Sequence, residues 1–187
     1  MTLSKARRAP PPLTQSALQE LALRYAGRYA TTRAKLRAYL MRKIRERGWD
    51  GEREPQIEAL ANRFAELGYV DDEAYAVSKS RALSARGYGK RRLAEKLHQA
   101  GVGGEDSRAA FDIAEDEAVE AALRFARRRH LGPFATHAAD RPAREKGIAA
   151  MVRAGHPFGL ARAIVSLAPG APVDPADLSE SIRFDAN

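Results

Sequence analysis

The stretch that decides the fold is GKRRLAEKLHQAG, residues 89–101, in which apolar residues recur at a helical spacing. Leu93 and Leu97 lie four residues apart, so their side chains fall on one face of an α-helix. Gly101 follows after four more residues, where glycine commonly ends a helix in the left-handed conformation. Basic residues occupy the other faces. The pattern predicts a short helix that packs through its leucine face.

The same spacing occurs in two other parts of the chain. A first copy contains Leu40, Ile44 and Gly48, and a weaker third copy contains Ile148, Met151, Val152 and Gly155. A second apolar stripe follows each glycine: Ile57, Leu60, Phe64 and Leu67; Ala110, Ile113 and Ala114; and Leu160, Ile164 and Leu167. Recurrence at a period of ~20–50 residues is typical of repeat proteins. We therefore expect tandem copies of one helical unit.

Capping residues and prolines predict where the helices begin. The predicted starts are Thr14 or Ser16, Thr32, Pro55, Asp71, residue 89, residue 105, Asp116, Asp140–Pro142 and Pro157. No convincing alternation of apolar and polar residues predicts a strand. Of the 187 residues, 37 are alanine, which favours closely packed helices. The predicted fold class is all-α, an elongated array of three tandem three-helix repeats with about nine helices.

The predicted domain boundaries follow the repeats. A basic, proline-rich N-terminal arm covers residues 1–13, and the three-helix repeats cover residues 14–70, 71–115 and 116–168. Residues 169–187 begin with the proline-rich sequence PGAPVDPAD, which predicts a flexible C-terminal tail.

The composition excludes several classes of protein. The chain has no cysteine, which excludes a disulfide scaffold, a zinc ribbon and a thiol nucleophile. No apolar run approaches the ~20 residues that span a bilayer, so we expect no membrane partner. Residues 1–13 have no apolar segment typical of a secretory signal, and we expect a cytoplasmic protein.

The residue patterns of catalytic and metal sites are also missing. The histidines are not spaced as metal ligands, and we expect them at the surface or in helix caps: His98, His130, His137 and His156. No serine is accompanied by a base and an orienting acid at a recognised spacing. We therefore expect no enzymatic activity, no metal and no cofactor.

Two short motifs have structural explanations. Acidic residues in Asp71-Asp72-Glu73 are typical of a first helical turn, where they cap free N–H groups. Gly87-Tyr88-Gly89-Lys90 lacks the spacing and the hydroxyl of a phosphate-binding GxxxxGK[ST] loop. We interpret it as a turn between helices in which glycines supply positive φ, with an exposed Tyr88 beside several cations.

Charge alternates along the chain in blocks. The net charge is +10 over residues 1–48, −6 over 49–76, +6 over 77–100, −6 over 101–120, +6 over 121–155 and −2 over 156–187. Each basic block could be a solvated face, but several together suit a polyanion or an acidic protein surface. The acidic blocks would repel phosphate. The alternation favours a partner with both charge signs, such as a protein filament on DNA.

Three segments resemble the RecX family. They are Thr32–Leu36 followed by Leu40, the sequence LGYVDDEAYA over residues 67–76, and RGYGKRRL over residues 86–93. The resemblance covers about residues 14–168 and is strongest over 30–100. Lys90 stands where proline is common in the family.

The resemblance implies a non-enzymatic regulator of the RecA recombinase, built from three-helix repeats. RecX-like proteins dock in the groove of the RecA–single-stranded DNA filament. They restrain its ATP hydrolysis, strand exchange and coprotease activities, and so limit recombination and the SOS response. Some also bind DNA directly, so single-stranded and double-stranded DNA are implied partners. We expect a monomer.

The candidate contact residues are mostly basic side chains within the segments that carry the resemblance. They are Arg33, Lys35, Arg37, Arg86, Tyr88, Lys90, Arg91 and Arg92. The alternative function is a stand-alone helical nucleic-acid-binding protein that acts without a recombinase. Its binding would be tight and strongly salt-dependent.

Overall fold

A computed structural model describes residues 10–183, which form ten α-helices and two short 3-10 helices. The α-helices are α1 (Gln15–Arg28), α2 (Arg33–Arg47), α3 (Ile57–Glu66), α4 (Asp72–Ala85), α5 (Lys90–Gln99), α6 (Arg108–Asp116), α7 (Ala118–Arg128), α8 (Arg141–Arg153), α9 (Phe158–Ser166) and α10 (Pro175–Arg183). The 3-10 helices are Gly104–Ser107 and Gly132–Phe134. Over this range no strand forms, and one isolated bridge joins Leu13 to Trp49. The all-α prediction is confirmed.

The helices group into two compact units. The first ends at Tyr75 and the second begins at Ala76, so the boundary falls within α4. The division into three repeats remains a prediction. Among residues 10–183, no helix is both long and apolar enough to cross a membrane.

The helix ends follow the predicted capping and glycine signals. The Thr32 hydroxyl accepts a hydrogen bond from the Lys35 N–H at 3.1 Å, and the Asp140 carboxylate accepts one from Ala143 at 2.8 Å. The glycines that end the three predicted repeat motifs all have positive φ: Gly48 at 83°, Gly101 at 69° and Gly155 at 98°. Glycine adopts this conformation without the steric cost of a Cβ. The local sequence therefore defines these boundaries.

The first unit has a core made by α1, α2 and α3. Leu18, Leu36, Leu40 and Leu60 belong to it, each at most 5% exposed. One predicted core residue is wrong: Leu67 is 57% exposed because α3 ends at Glu66 and leaves it in the following turn.

The predicted N-terminal arm is too long by at least its last residue. Leu13 is fully buried in the core of the first unit. Its N–H donates to the Gly48 carbonyl at 3.0 Å, and its carbonyl accepts from the Asp50 N–H at 2.9 Å. The Arg47 guanidinium also donates to the Pro11 carbonyl, at 3.0 and 2.8 Å. Residues 1–9 of the predicted arm lie outside the described range.

In the second unit, the middle helices pack through the face predicted at the outset. Leu93 and Leu97 of α5 are each 1% exposed. The Ser80 hydroxyl on α4 donates to the Ala110 carbonyl on α6 at 2.8 Å, inside the protein. The predicted leucine face of α5 is confirmed.

The prediction of a flexible tail over residues 169–187 is wrong for α10. Leu178 is 5% exposed and belongs to the core that α7, α8 and α9 form. The Asp174 carboxylate accepts a hydrogen bond from the Ala176 N–H at 2.8 Å at the start of this helix. The prolines precede the helix or occupy its first position, where proline is tolerated. Residues 184–187 lie outside the described range.

Candidate interaction surface

The turn between α4 and α5 packs directly against the backbone of neighbouring elements. Gly87 has a φ of 74°, and a Cβ there would lie 2.8 Å from the backbone nitrogen of Phe125. Gly89 has a φ of −88°, but a Cβ there would lie 2.3 Å from the Gly155 carbonyl oxygen. Positive φ and a close backbone approach together explain Gly87, whereas close approach alone explains Gly89.

The carbonyl end of α8 meets the N–H end of α5 at this turn. The Gly89 N–H donates to the Ala154 carbonyl at 3.0 Å, and the Arg91 N–H donates to the Gly155 carbonyl at 3.2 Å. No side chain caps α5. Carbonyls at a helix end carry partial negative charge, which complements the positive N-terminus of α5. These N–H groups are therefore engaged by the protein itself, which argues against a phosphate-binding loop here.

The turn places three basic residues in the first turn of α5. Lys90 forms an ion pair with Glu115, and Arg92 forms one with Glu95 at 2.8 Å. Arg91 is exposed and forms no ion pair with another residue of the range 10–183. Of the three, Arg91 has the charge most available to a partner.

Tyr88 is half-buried, which corrects the expectation that it is exposed. Its ring packs against the core of the second unit. The guanidinium carbons of Arg86 and Arg128 lie 5.7 and 5.9 Å from the ring centroid, within reach of cation–π attraction. Arg128 also donates a hydrogen bond to the Arg86 carbonyl. Arg128 was not among the candidate contact residues, although the run Arg127-Arg128-Arg129 is a visible basic block in the sequence.

In the first unit, two candidate residues hold helices together. The Asp72 carboxylate accepts hydrogen bonds from the Arg33 N–H at 2.9 Å and from its Nε at 3.1 Å. Asp72 is 6% exposed, so this pair joins the start of α4 to the start of α2. Lys35 donates to the Tyr75 hydroxyl and lies 4.3 Å from that ring centroid.

These contacts refine the interpretation of the acidic motif. Asp71 caps its own helix, as predicted, by accepting from the Ala74 N–H at 2.8 Å. Asp72 instead bonds to another helix.

The third candidate residue of the first unit is also paired: Arg37 forms an ion pair with Glu58 of α3. The three candidate side chains of the first unit are therefore engaged within that unit.

His156 is buried at the junction of the α4–α5 turn with the end of α8, which corrects the expectation of a surface or capping role. It is 1% exposed, and its Nε2 lies 3.1 Å from the Gly87 carbonyl oxygen. Burial lowers the pKa of His156 to about 4, although the hydrogen bond to Gly87 acts in the opposite direction. The imidazole is therefore neutral at pH 7, packed edge-on to the Phe125 ring at 5.7 Å.

Comparisons with known proteins cover most of the chain. The family model "RecX, second three-helix domain" matches residues 71–110. The regulatory protein RecX of Myxococcus xanthus is 34% identical over 171 residues, spanning 86% of this chain and 90% of the relative. Those of Thermobifida fusca and Agrobacterium fabrum are 34% and 32% identical, spanning 84% and 74% of the relatives. These matches reach both units.

The fold agrees with a solved relative. The crystal structure of RecX from Lactobacillus salivarius aligns with a TM-score of 0.54 at 18% identity, covering 90% of this chain and 96% of that one. The fold and the basic first turn of α5 define the class, an all-α protein of three-helix repeats with a cationic surface. Within that class, the chain belongs to the RecX family of regulatory proteins.

Substitution of Gly89 tests the junction. We expect Gly89→Ala to destabilise the second unit by roughly 1–3 kcal/mol, since overpacking forces backbone shifts of that cost. Denaturant unfolding measures the change. Gly27→Ala is the control, because a Cβ at Gly27, within α1, meets nothing within 4 Å. Equal stability of the two variants would contradict the close approach.

The buried imidazole predicts a pH dependence of stability. Below pH 6.5 the unfolded chain protonates His156, whereas the folded protein keeps it neutral until the pH nears 4. This contribution to stability is therefore fully present above pH 6.5 and is lost as the pH falls toward 4. Between pH 7.5 and 5.5 we expect a loss of about 1 kcal/mol in the free energy of unfolding.

The matched variants for this pH dependence are His156→Gln and His98→Gln. In His156→Gln we expect the part of the loss in unfolding free energy that comes from His156 to disappear. In His98→Gln we expect that part to remain, because His98 is exposed. Denaturant titrations at the two pH values measure both. An unchanged loss in His156→Gln would assign the pH dependence to other groups.

Proposed function

We propose that this protein binds the RecA–single-stranded DNA filament and restrains its ATP hydrolysis, strand exchange and coprotease activities. In this role it limits recombination and the SOS response. Membership of the RecX family supports the proposal, because that resemblance implies a RecA regulator. The observation that links the proposal to particular residues is the basic first turn of α5. The turn at Gly87 and Gly89 holds it in place.

The chemistry of this turn fits a filament that has both protein and nucleic acid on its surface. Arg91 is exposed without an ion-pair partner in the described part of the chain. Lys90 and Arg92 have carboxylates beside them, Glu115 and Glu95. Exposed ion pairs contribute little to stability. These cations can therefore leave their own carboxylates and pair with a carboxylate or phosphate of a partner at small cost.

The proposed contact surface has a primary and a secondary part. The primary part lies in the second unit and combines Arg86, Tyr88, Lys90, Arg91 and Arg92. Arg37, 34% exposed in its ion pair, and Lys35 form the secondary part in the first unit. Arg33 mainly holds Asp72, and we assign it a smaller role in contacting the partner. We further propose that the protein works as a cytoplasmic monomer, without a cofactor or an enzymatic activity of its own.

Charge reversal at Arg91 tests this assignment. We expect Arg91→Glu to require roughly tenfold more protein for half-inhibition of single-stranded-DNA-dependent ATP hydrolysis by RecA, since a favourable interfacial charge becomes repulsive. Arg144→Glu is the matched control, because Arg144 is also exposed and its reversal changes the net charge equally. Far-UV circular dichroism checks that both variants are folded. Equal inhibition by the two variants would remove Arg91 from the interface.

A further inference from the structure

A groove of about 480 Å³ lies between α1 and α2 in the first unit. Its aromatic lining consists of Tyr25, Tyr29 and Tyr39. Its basic lining consists of Arg24, Arg28, Arg42 and Lys43. None of these side chains belongs to the candidate interaction surface described above.

The three tyrosines form a continuous aromatic surface. The rings of Tyr25 and Tyr39 are stacked, with centroids 4.1 Å apart and planes 11° apart. Tyr29 extends this pair, with its centroid 5.3 Å from that of Tyr25. Tyr25 and Tyr39 pack against the core of the first unit, whereas Tyr29 is 50% exposed. The Tyr29 ring is tilted by 52° from that of Tyr25, and half of this residue is accessible to solvent.

The groove keeps an excess of positive charge. Arg24 pairs with Glu20 at 3.2 Å, and Glu46 pairs with Lys43 at 2.6 Å and with Arg42 at 3.7 Å. Arg28 has no ion pair within residues 10–183, and its guanidinium carbon lies 5.6 Å from the Tyr29 ring centroid. The groove therefore has four cations and only two carboxylates. Arg28, the cation without an ion pair, lies beside the exposed ring of Tyr29.

We propose that this groove binds single-stranded nucleic acid. One base stacks on the exposed part of the Tyr29 ring, and Arg28 and Arg42 contact the phosphates on either side of it. Aromatic side chains that stack bases, set in a basic groove that follows the backbone, are the usual means of binding a single strand. An acidic peptide would be attracted by the cations but would gain little from the stacked rings. A duplex keeps its bases within its own stack.

This inference deepens the proposed function, because it gives the single strand in the filament a contact on the first unit. It rests on the proposed function only for the identity of that strand. The groove itself can be tested on a free oligonucleotide without any recombinase. Failure of the groove and failure of the regulatory role are therefore distinguishable.

The test measures binding of the full chain to a labelled oligothymidylate and to an abasic strand of the same length, by fluorescence anisotropy at fixed moderate salt. We expect Tyr29→Ala to weaken binding to oligothymidylate at least about fivefold, the lower range for loss of one stacked base. Binding to the abasic strand should not change. Tyr29→Phe keeps the ring and should bind as the original chain does.

The charge component has its own pair of variants. Arg28→Gln should weaken binding to both strands, whereas Arg144→Gln, which removes an exposed charge in the second unit, should affect neither to a comparable extent. Denaturant midpoints check that each variant is folded.

Three results would overturn the proposal. They are equal binding of oligothymidylate by Tyr29→Ala and the original chain, equal affinity of the original chain for the two strands, and no binding of either. Equal affinity would instead indicate a surface that attracts any polyanion, including an acidic protein. Loss of oligonucleotide binding in Tyr29→Ala with full inhibition of RecA would leave the groove intact as a proposal and separate it from the regulatory role.

Discussion

The approach of Gly89 to the end of α8 is the contact on which the surface of the second unit depends. At this point the carbonyls of Ala154 and Gly155 accept hydrogen bonds from the first N–H groups around α5. The two backbones come so close that a Cβ at Gly89 would lie 2.3 Å from a carbonyl oxygen. His156 closes the junction from inside as a neutral imidazole beside Gly87. The glycines of the GYG sequence therefore serve packing. They also fix the positions of the charged residues that follow them in α5.

This arrangement explains how a basic turn can begin a helix. Cations at a helix N-terminus oppose the helix dipole, which is normally unfavourable. Here the carbonyl end of α8 supplies partial negative charge at the same place, and Glu115 and Glu95 lie beside Lys90 and Arg92. Arg91 remains exposed. The first unit presents its cations differently, since Arg33 and Lys35 contact Asp72 and Tyr75 within the unit, while the groove between α1 and α2 combines charge with tyrosine rings.

The sequence predicted those features that depend on neighbouring residues along the chain. Leu93 and Leu97 were placed correctly because helical spacing determines which face is apolar. Features that depend on distant contacts were not predictable in the same way. Leu178 is buried by helices that precede it, although the prolines around it suggested a flexible segment. His156 and the pairing of Asp72 with Arg33 also depend on segments brought together by folding, and no local pattern indicates them.

The most direct test of the central claim compares two titrations of the unmodified protein at the same moderate salt. One follows single-stranded-DNA-dependent ATP hydrolysis by RecA, and the other follows binding to the same DNA without RecA. If the filament is the target, hydrolysis will fall at protein concentrations where bare DNA is still mostly free. If hydrolysis falls only once the DNA is saturated, the protein competes for DNA, and the regulatory role proposed for it is contradicted.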